Sequence, residues 1–119
     1  MSALHGKSLD RPDETRSFGH GKLDVVKLGD VSVARGVFEP GWRWSKDIKP
    51  IAKTESCQVL HTGYILSGKM GIRMDDGTET KFGPGDAYII PPGHEGWTIG
   101  DEPVVALEFT AAAVFAKPS

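Results

Sequence analysis

The sequence predicts an all-β chain folded as a small antiparallel β-barrel or jelly roll, and three observations carry that prediction. Fifteen glycines and eight prolines stand among 119 residues, about 19% against a usual combined share of about 12%, so turns break the chain into short segments. Met70, Ile72 and Met74 alternate with Lys69, Gly71 and Arg73, the two-residue period of a strand with one buried face. Asp76-Gly77 then separates two such segments, the strongest short-range signal for a hairpin. Hydrophobic residues make up 39% of the chain and come in strand-length runs, so the glycine and proline excess marks turns rather than disorder.

In chain order, residues 1–22 are polar and interrupted by Pro12, Gly19 and Gly21. They are expected to form an N-terminal arm, flexible or docked on a partner subunit. Strands are expected over 23–28 and 31–38, joined at Gly29-Asp30 and stopped by Pro40-Gly41. Trp42-Arg43-Trp44 sets both indoles on one side if extended, and 45–50 reads as a loop. A strand over 55–60 places Glu55 and Cys57 on one face. His61-Thr62-Gly63 bends into Tyr64-Ile65-Leu66-Ser67-Gly68, residues 69–74 follow, and 78–82 return across the hairpin. Gly83-Pro84-Gly85-Asp86 turns into a short buried strand over 87–90, and Pro91-Pro92-Gly93 turns again. Strands over 97–99 and 104–109 complete the set, with Asp101-Glu102-Pro103 between them. Residues 111–117 are alanine-rich and favour a turn or two of helix. The total is about eight or nine short strands and no long helix, one domain over 23–110 between the arm 1–22 and the tail 111–119.

Composition excludes several classes. The formal charge is −2 and the pI near 6.0, with no electrostatic footprint for nucleic acid. A single cysteine, Cys57, excludes an internal disulfide framework and a cysteine-only zinc site. The longest apolar run, 111–116, is far short of the roughly 20 residues of a membrane span, and residues 1–10 lack the apolar core of a signal peptide. The expectation is a soluble, cytoplasmic protein with neither nucleic acid nor membrane as partner.

Two stretches resemble the motifs of the cupin superfamily. His61-Thr62-Gly63-Tyr64-Ile65-Leu66-Ser67-Gly68 is similar to the end of the first motif. Pro84-Gly85-Asp86 followed by Pro91-Pro92-Gly93 is similar to the second. The resemblance covers about residues 31–109 and implies a cupin barrel with an interior pocket. It also implies where metal ligands belong: the first-histidine position falls on Glu55, the second on Cys57, the glutamate position on His61 and the last histidine position on Gly96. None carries the usual residue. The run from Pro40 to His94 is similar to small single-domain bacterial cupins, and such proteins pair into homodimers.

The residues that stand near those positions set the chemistry. Glu55, Cys57 and His61 are metal-competent donors, and His94 offers a second imidazole from another strand. That set suits zinc, with iron or nickel as alternatives. His94 lies two residues before Gly96, about 7 Å along a strand, so it reaches the centre only if the local register differs. The alternatives are an inert core cysteine at Cys57 and a core histidine at His61 hydrogen-bonded to Glu55. A thiolate–imidazole pair of Cys57 with His61 or His94, or acid–base work by Glu55 with His61, is open chemically but lacks a recognisable oxyanion hole or third group. Trp42, Trp44, Arg43, Tyr88 and Trp97 are the candidate ligand-binding residues, with Trp42-Arg43-Trp44 as a rim for a small, partly anionic molecule. Two functions follow. One is a metal-dependent oxygenase or isomerase acting on a small polar molecule. The other is a metal-free binding or sensing module without catalysis.

Overall fold

The computed structural model describes residues 4–117. Residues 1–3 of the expected arm and 118–119 of the expected tail lie outside the described residues. Among the described residues nine strands follow in order: β1 Glu14–Phe18, β2 Gly21–Leu28, β3 Val31–Phe38, β4 His61–Ser67, β5 Lys69–Met74, β6 Glu79–Phe82, β7 Ala87–Ile90, β8 His94–Ile99 and β9 Val104–Glu108. Two short helices, α1 Trp44–Asp47 and α2 Lys49–Ala52, separate β3 from β4. A six-stranded antiparallel sheet runs β1-β2-β3-β9-β4-β7, and a three-stranded one runs β6-β5-β8. No helix among the described residues is long and apolar enough to cross a membrane.

Alternation builds the interior. On β4, His61, Gly63 and Ile65 are buried between outward Thr62, Tyr64 and Leu66. On β9, Val104, Ala106 and Glu108 point the same way, and on β8 His94, Gly96 and Thr98 do. The inner faces share one apolar core with Leu23, Val25, Phe38, Met70 and Ile72. Leu23 and Ile65 are fully buried, and each such side chain contributes about 2 kcal/mol over an exposed one.

Three segments differ from expectation. The arm is partly structured: β1 pairs with β2 along its length, and buried Arg16 donates from Nη1 to Phe115 O at 2.8 Å, tying the C-terminal segment down. The loop expected over 45–50 is α1 and α2, because Asp47 Oδ2 accepts from Arg43 N at 3.1 Å and Pro50 lies in the first turn of α2, where no backbone donor is needed. The strand expected over 55–60 is absent. Only Cys57 pairs there, as an isolated bridge to His94, while Thr54 Oγ1 turns the chain by donating to Ser56 O at 2.7 Å. The expected helical turn in the tail is a 3-10 turn, Ala111–Ala113.

Candidate metal centre

Three buried donors converge at one end of the interior. Ligating atoms of Cys57, His61 and His94 lie within 4.8 Å of one another. Each arrives by a different local rule. His61 opens β4 opposite Ile90 and points inward. Cys57 has no strand of its own; its backbone N–H donates to His94 O at 2.8 Å, and its carbonyl accepts from Gly93 N at 2.7 Å. That exchange also brings His94 beside Cys57. Gly93 makes it possible, because its φ of 93° lies in the left-handed region that a side chain disfavours. His94 therefore enters the site at the first inward position of β8. The next inward position, Gly96, is covered by Ile72 and the Trp42 ring.

The two imidazoles are held in the way that metal-binding histidines are held. His61 Nδ1 is hydrogen-bonded to Glu108 Oε1, and Tyr88 OH donates to Glu108 Oε2 at 2.6 Å. His94 Nδ1 donates to Pro91 O at 2.8 Å. Each ring thus has Nδ1 engaged, and His61 Nε2 stands 3.6 Å from Cys57 Sγ. Such outer partners fix tautomer and ring orientation and raise ligand basicity. The 3.6 Å separation fits two donors on one tetrahedral cation with bonds of about 2.0–2.3 Å.

Electrostatics favour a charged pair. Burial pushes the Cys57 thiol up, but hydrogen bonds from His61 and His94 outweigh it and leave the pKa at about 6. Burial likewise lowers His61, and hydrogen bonds to Cys57 and Glu108 overcome it, holding the imidazole at about 9. Burial and then the Glu108 charge raise the Tyr88 phenol, which stays a donor. The room beside the cluster is small, a cavity of about 20 Å³ lined by His61, His94, Tyr88, Glu108, Phe38, Trp42, Trp44 and others. That is space for about one water. Trp42 Nε1 and Trp44 Nε1 are buried without a partner among the described residues.

The remaining predicted residues distribute unevenly. Glu55 does not reach the cluster: its side chain is 98% exposed and lies 3.3 Å from Lys49 Nζ. It sits on the turn that replaces the expected strand, and so no face aims it inward. The His61–Glu55 hydrogen bond is accordingly replaced by His61–Glu108. Trp42, Trp44 and Tyr88 line the cavity. Trp97 and Arg43 lie elsewhere. The Trp97 ring covers Gly71 on the outer face of the three-stranded sheet, and the Arg43 guanidinium stacks on it at 5.0 Å. Glu108 was not foreseen. Its signal was present in the inward period Val104, Ala106, Glu108, which sets a carboxylate at a core position.

A family model described as a cupin domain matches residues 52–110. A sequence comparison with curated proteins gives no match. Among solved structures, the chain is similar to oxalate decarboxylase from Lactobacillus farciminis in a formate complex (TM-score 0.59, 21% identity, 86% of this chain and 32% of that one). It is similar to the Cnp3 cupin domain of Schizosaccharomyces pombe (TM-score 0.58, 18% identity, 88% and 73%). It is also similar to a DUF1255 protein of unknown function from Acidithiobacillus ferrooxidans (TM-score 0.59, 21% identity, 82% and 86%). The chain thus spans about a third of the length of the oxalate decarboxylase. The family-model match over residues 52–110 shows that the chain belongs to the cupin superfamily, and the solved structures share its fold.

Proposed function

We propose that the chain is a metal-binding cupin whose Cys57, His61 and His94 hold one divalent cation beside the interior cavity. The observation that carries this reading is the convergence of three buried donors within 4.8 Å, with both imidazoles anchored through Nδ1 and His61 Nε2 turned to the thiol. A core histidine needs no such arrangement twice in one place. One thiolate and two imidazoles favour zinc over magnesium or calcium, which prefer oxygen, with iron and nickel as competitors. Three protein donors leave a coordination position for a small molecule, as in catalytic rather than structural zinc sites. When bound, the cation supplies Lewis-acid polarisation of an oxygen. Tyr88 and Glu108 hold His61, while Trp42, Trp44 and Phe115 exclude bulk water. This fits isomerase-type chemistry on a small polar molecule. Elemental analysis of the purified protein tests the proposal, with one metal per chain expected and none opposing it.

One observation favours the metal-free module instead. Cys57, His61, Glu108 and Tyr88 already satisfy one another in a continuous chain, so the site is stable to burial without a cation. On that reading, no added divalent metal changes the thermal midpoint.

We also infer a homodimer. The outer face of the six-stranded sheet carries exposed Tyr64, Leu66, Ile89 and Phe109, and β7 ends that sheet with no further strand beside it among the described residues. An identical edge, antiparallel to the first, satisfies both open rows of backbone groups and joins the two apolar faces side by side.

A further inference from the structure

We infer that a second, larger cavity, bordered by Cys57, is a substrate pocket that takes a ring-sized apolar group and presents the molecule carrying it to the candidate metal centre. This cavity measures about 210 Å³. The space beside the imidazoles measures about 20 Å³ and has no room for the body of a substrate. The two cavities flank the metal-competent trio: Cys57 borders the larger, and His61 and His94 border the smaller. Trp44 and Phe115 line both, and the Phe115 ring meets His61 edge to face with centroids 5.0 Å apart. A molecule in the larger cavity is therefore separated from the imidazoles by single side chains. Well-packed interiors leave few voids larger than a water, so a space of this size against the donors is a built feature of the fold.

Size and lining narrow the class. The walls come from segments outside the two sheets: Ile48 and Ile51 from the helical region, Val59 from the turn before β4, and Ala116 from the C-terminal segment. Buried Arg16 holds that last segment in place through Phe115 O at 2.8 Å. The polar groups of the lining serve the turn itself, since Thr54 Oγ1 donates to Ser56 O at 2.7 Å and Gln58 Nε2 donates to Ser56 Oγ at 3.1 Å. Lys117, at the exposed edge, is the one charged residue of the lining among the described residues. Such walls select a ligand by burial of apolar area. A cavity of about 150 Å³ lined by leucine, isoleucine and phenylalanine takes a benzene ring, so about 210 Å³ takes a ring with one short substituent. Exposed Ala52 and Val114 border the entrance. The pocket stands without a cation, and only its coupling to a reaction rests on the metal reading above: the apolar ring lies in the pocket, and the polar arm reaches toward the cation.

Benzyl alcohol, an uncharged ring with one short polar arm, is the probe, and methyl resonances are the reporter. In a proton–carbon correlation titration of the zinc-loaded full chain, the methyls of Ile48, Ile51 and Val59 are expected to shift saturably. Those of exposed Val31 and Ile89, outside the cavity, are expected to stay. Ile51→Trp, which fills the cavity from a half-buried wall position, is expected to weaken binding about tenfold or more with zinc retained. Unchanged affinity in that variant overturns the pocket; should the variant not fold, the wild-type titration alone decides. Zinc is quantified in the same samples. Bound zinc with unmoved Ile48, Ile51 and Val59 resonances overturns the pocket and spares the metal reading. Equal shifts at Val31 and Ile89 also overturn it. Shifts of the pocket methyls on concentrating the protein without benzyl alcohol assign the cavity to a second copy and overturn it as well. If zinc does not bind, the metal reading fails separately. The metal-free titration then decides: a selective shift of the pocket methyls sustains the pocket, and its absence overturns it.

Discussion

His61 meets two groups through its two nitrogens, and most of the chemistry proposed for the site passes through that ring. Its Nε2 faces Cys57 and its Nδ1 is held by Glu108. Metal needs the thiolate and the neutral imidazole. Cys57 has shed its proton above about 6, whereas His61 keeps its own up to about 9. Cation binding near neutral pH is therefore expected to release about one proton, from the imidazolium rather than the thiol. Between those two values affinity should rise about tenfold per pH unit. Calorimetry in buffers of different ionisation enthalpy reads this directly, and a pH-independent affinity would refute it. Folding stability follows a different sign. The lowered thiol pKa makes stability rise with pH from about 6 toward the free-thiol value, and the raised His61 pKa makes it fall from about 6.5 toward 9. The slopes oppose each other, so denaturant midpoints of the metal-free protein should be nearly flat from this pair across that window. Glu108→Gln and Tyr88→Phe loosen the ring without removing a donor atom of the cluster. Each is expected to weaken metal binding about 10- to 100-fold, measured by competition with a chelator.

At the scale of elements, Gly63 shows how tightly β4, β7 and β9 are fitted. It pairs with Tyr88 on one side and Glu108 on the other. A Cβ there would strike the Tyr88 hydroxyl, the Glu108 carboxylate and the Leu107 carbonyl. Gly63→Ala is expected to cost about 3 kcal/mol and to weaken metal binding through displaced Glu108, both read from thermal unfolding with and without zinc. Much of this architecture was legible beforehand. The alternation in 69–74 and the Asp76-Gly77 turn are local signals, and β5 and β6 fall where those signals put them. Segments whose conformation depends on distant partners were not. β1 lacks apolar alternation and is a strand because β2 pairs with it. Cys57 is aligned by His94, distant in sequence, and nothing local to residues 55–60 reports that bridge. The same bridge delivers His94 to the centre, so the metal-competent trio could be listed from the sequence, yet its meeting could not be derived. Glu55 fails for the converse reason, since its inward placement depended on a strand that does not form.

Across the whole molecule, the face around Tyr64 and Ile89 and the buried cluster make separable predictions. Light scattering should give about twice the 12.8 kDa of one chain, and Ile89→Lys, which sets a charge on an exposed face, should yield a folded monomer. A wild-type monomer at micromolar concentration would remove the dimer and leave the metal centre untouched, because the three donors come from one chain. The most direct measurement is metal stoichiometry after gel filtration, by elemental analysis, on wild type, Cys57→Ala and His61→Ala. One divalent ion per chain is expected in the wild type. Near-complete loss is expected in both variants, with the sheet-dominated circular dichroism unchanged because neither substitution touches a turn. A wild type that retains no ion when zinc, iron and nickel are each supplied, or an ion that survives both substitutions, would contradict a metal held by Cys57, His61 and His94.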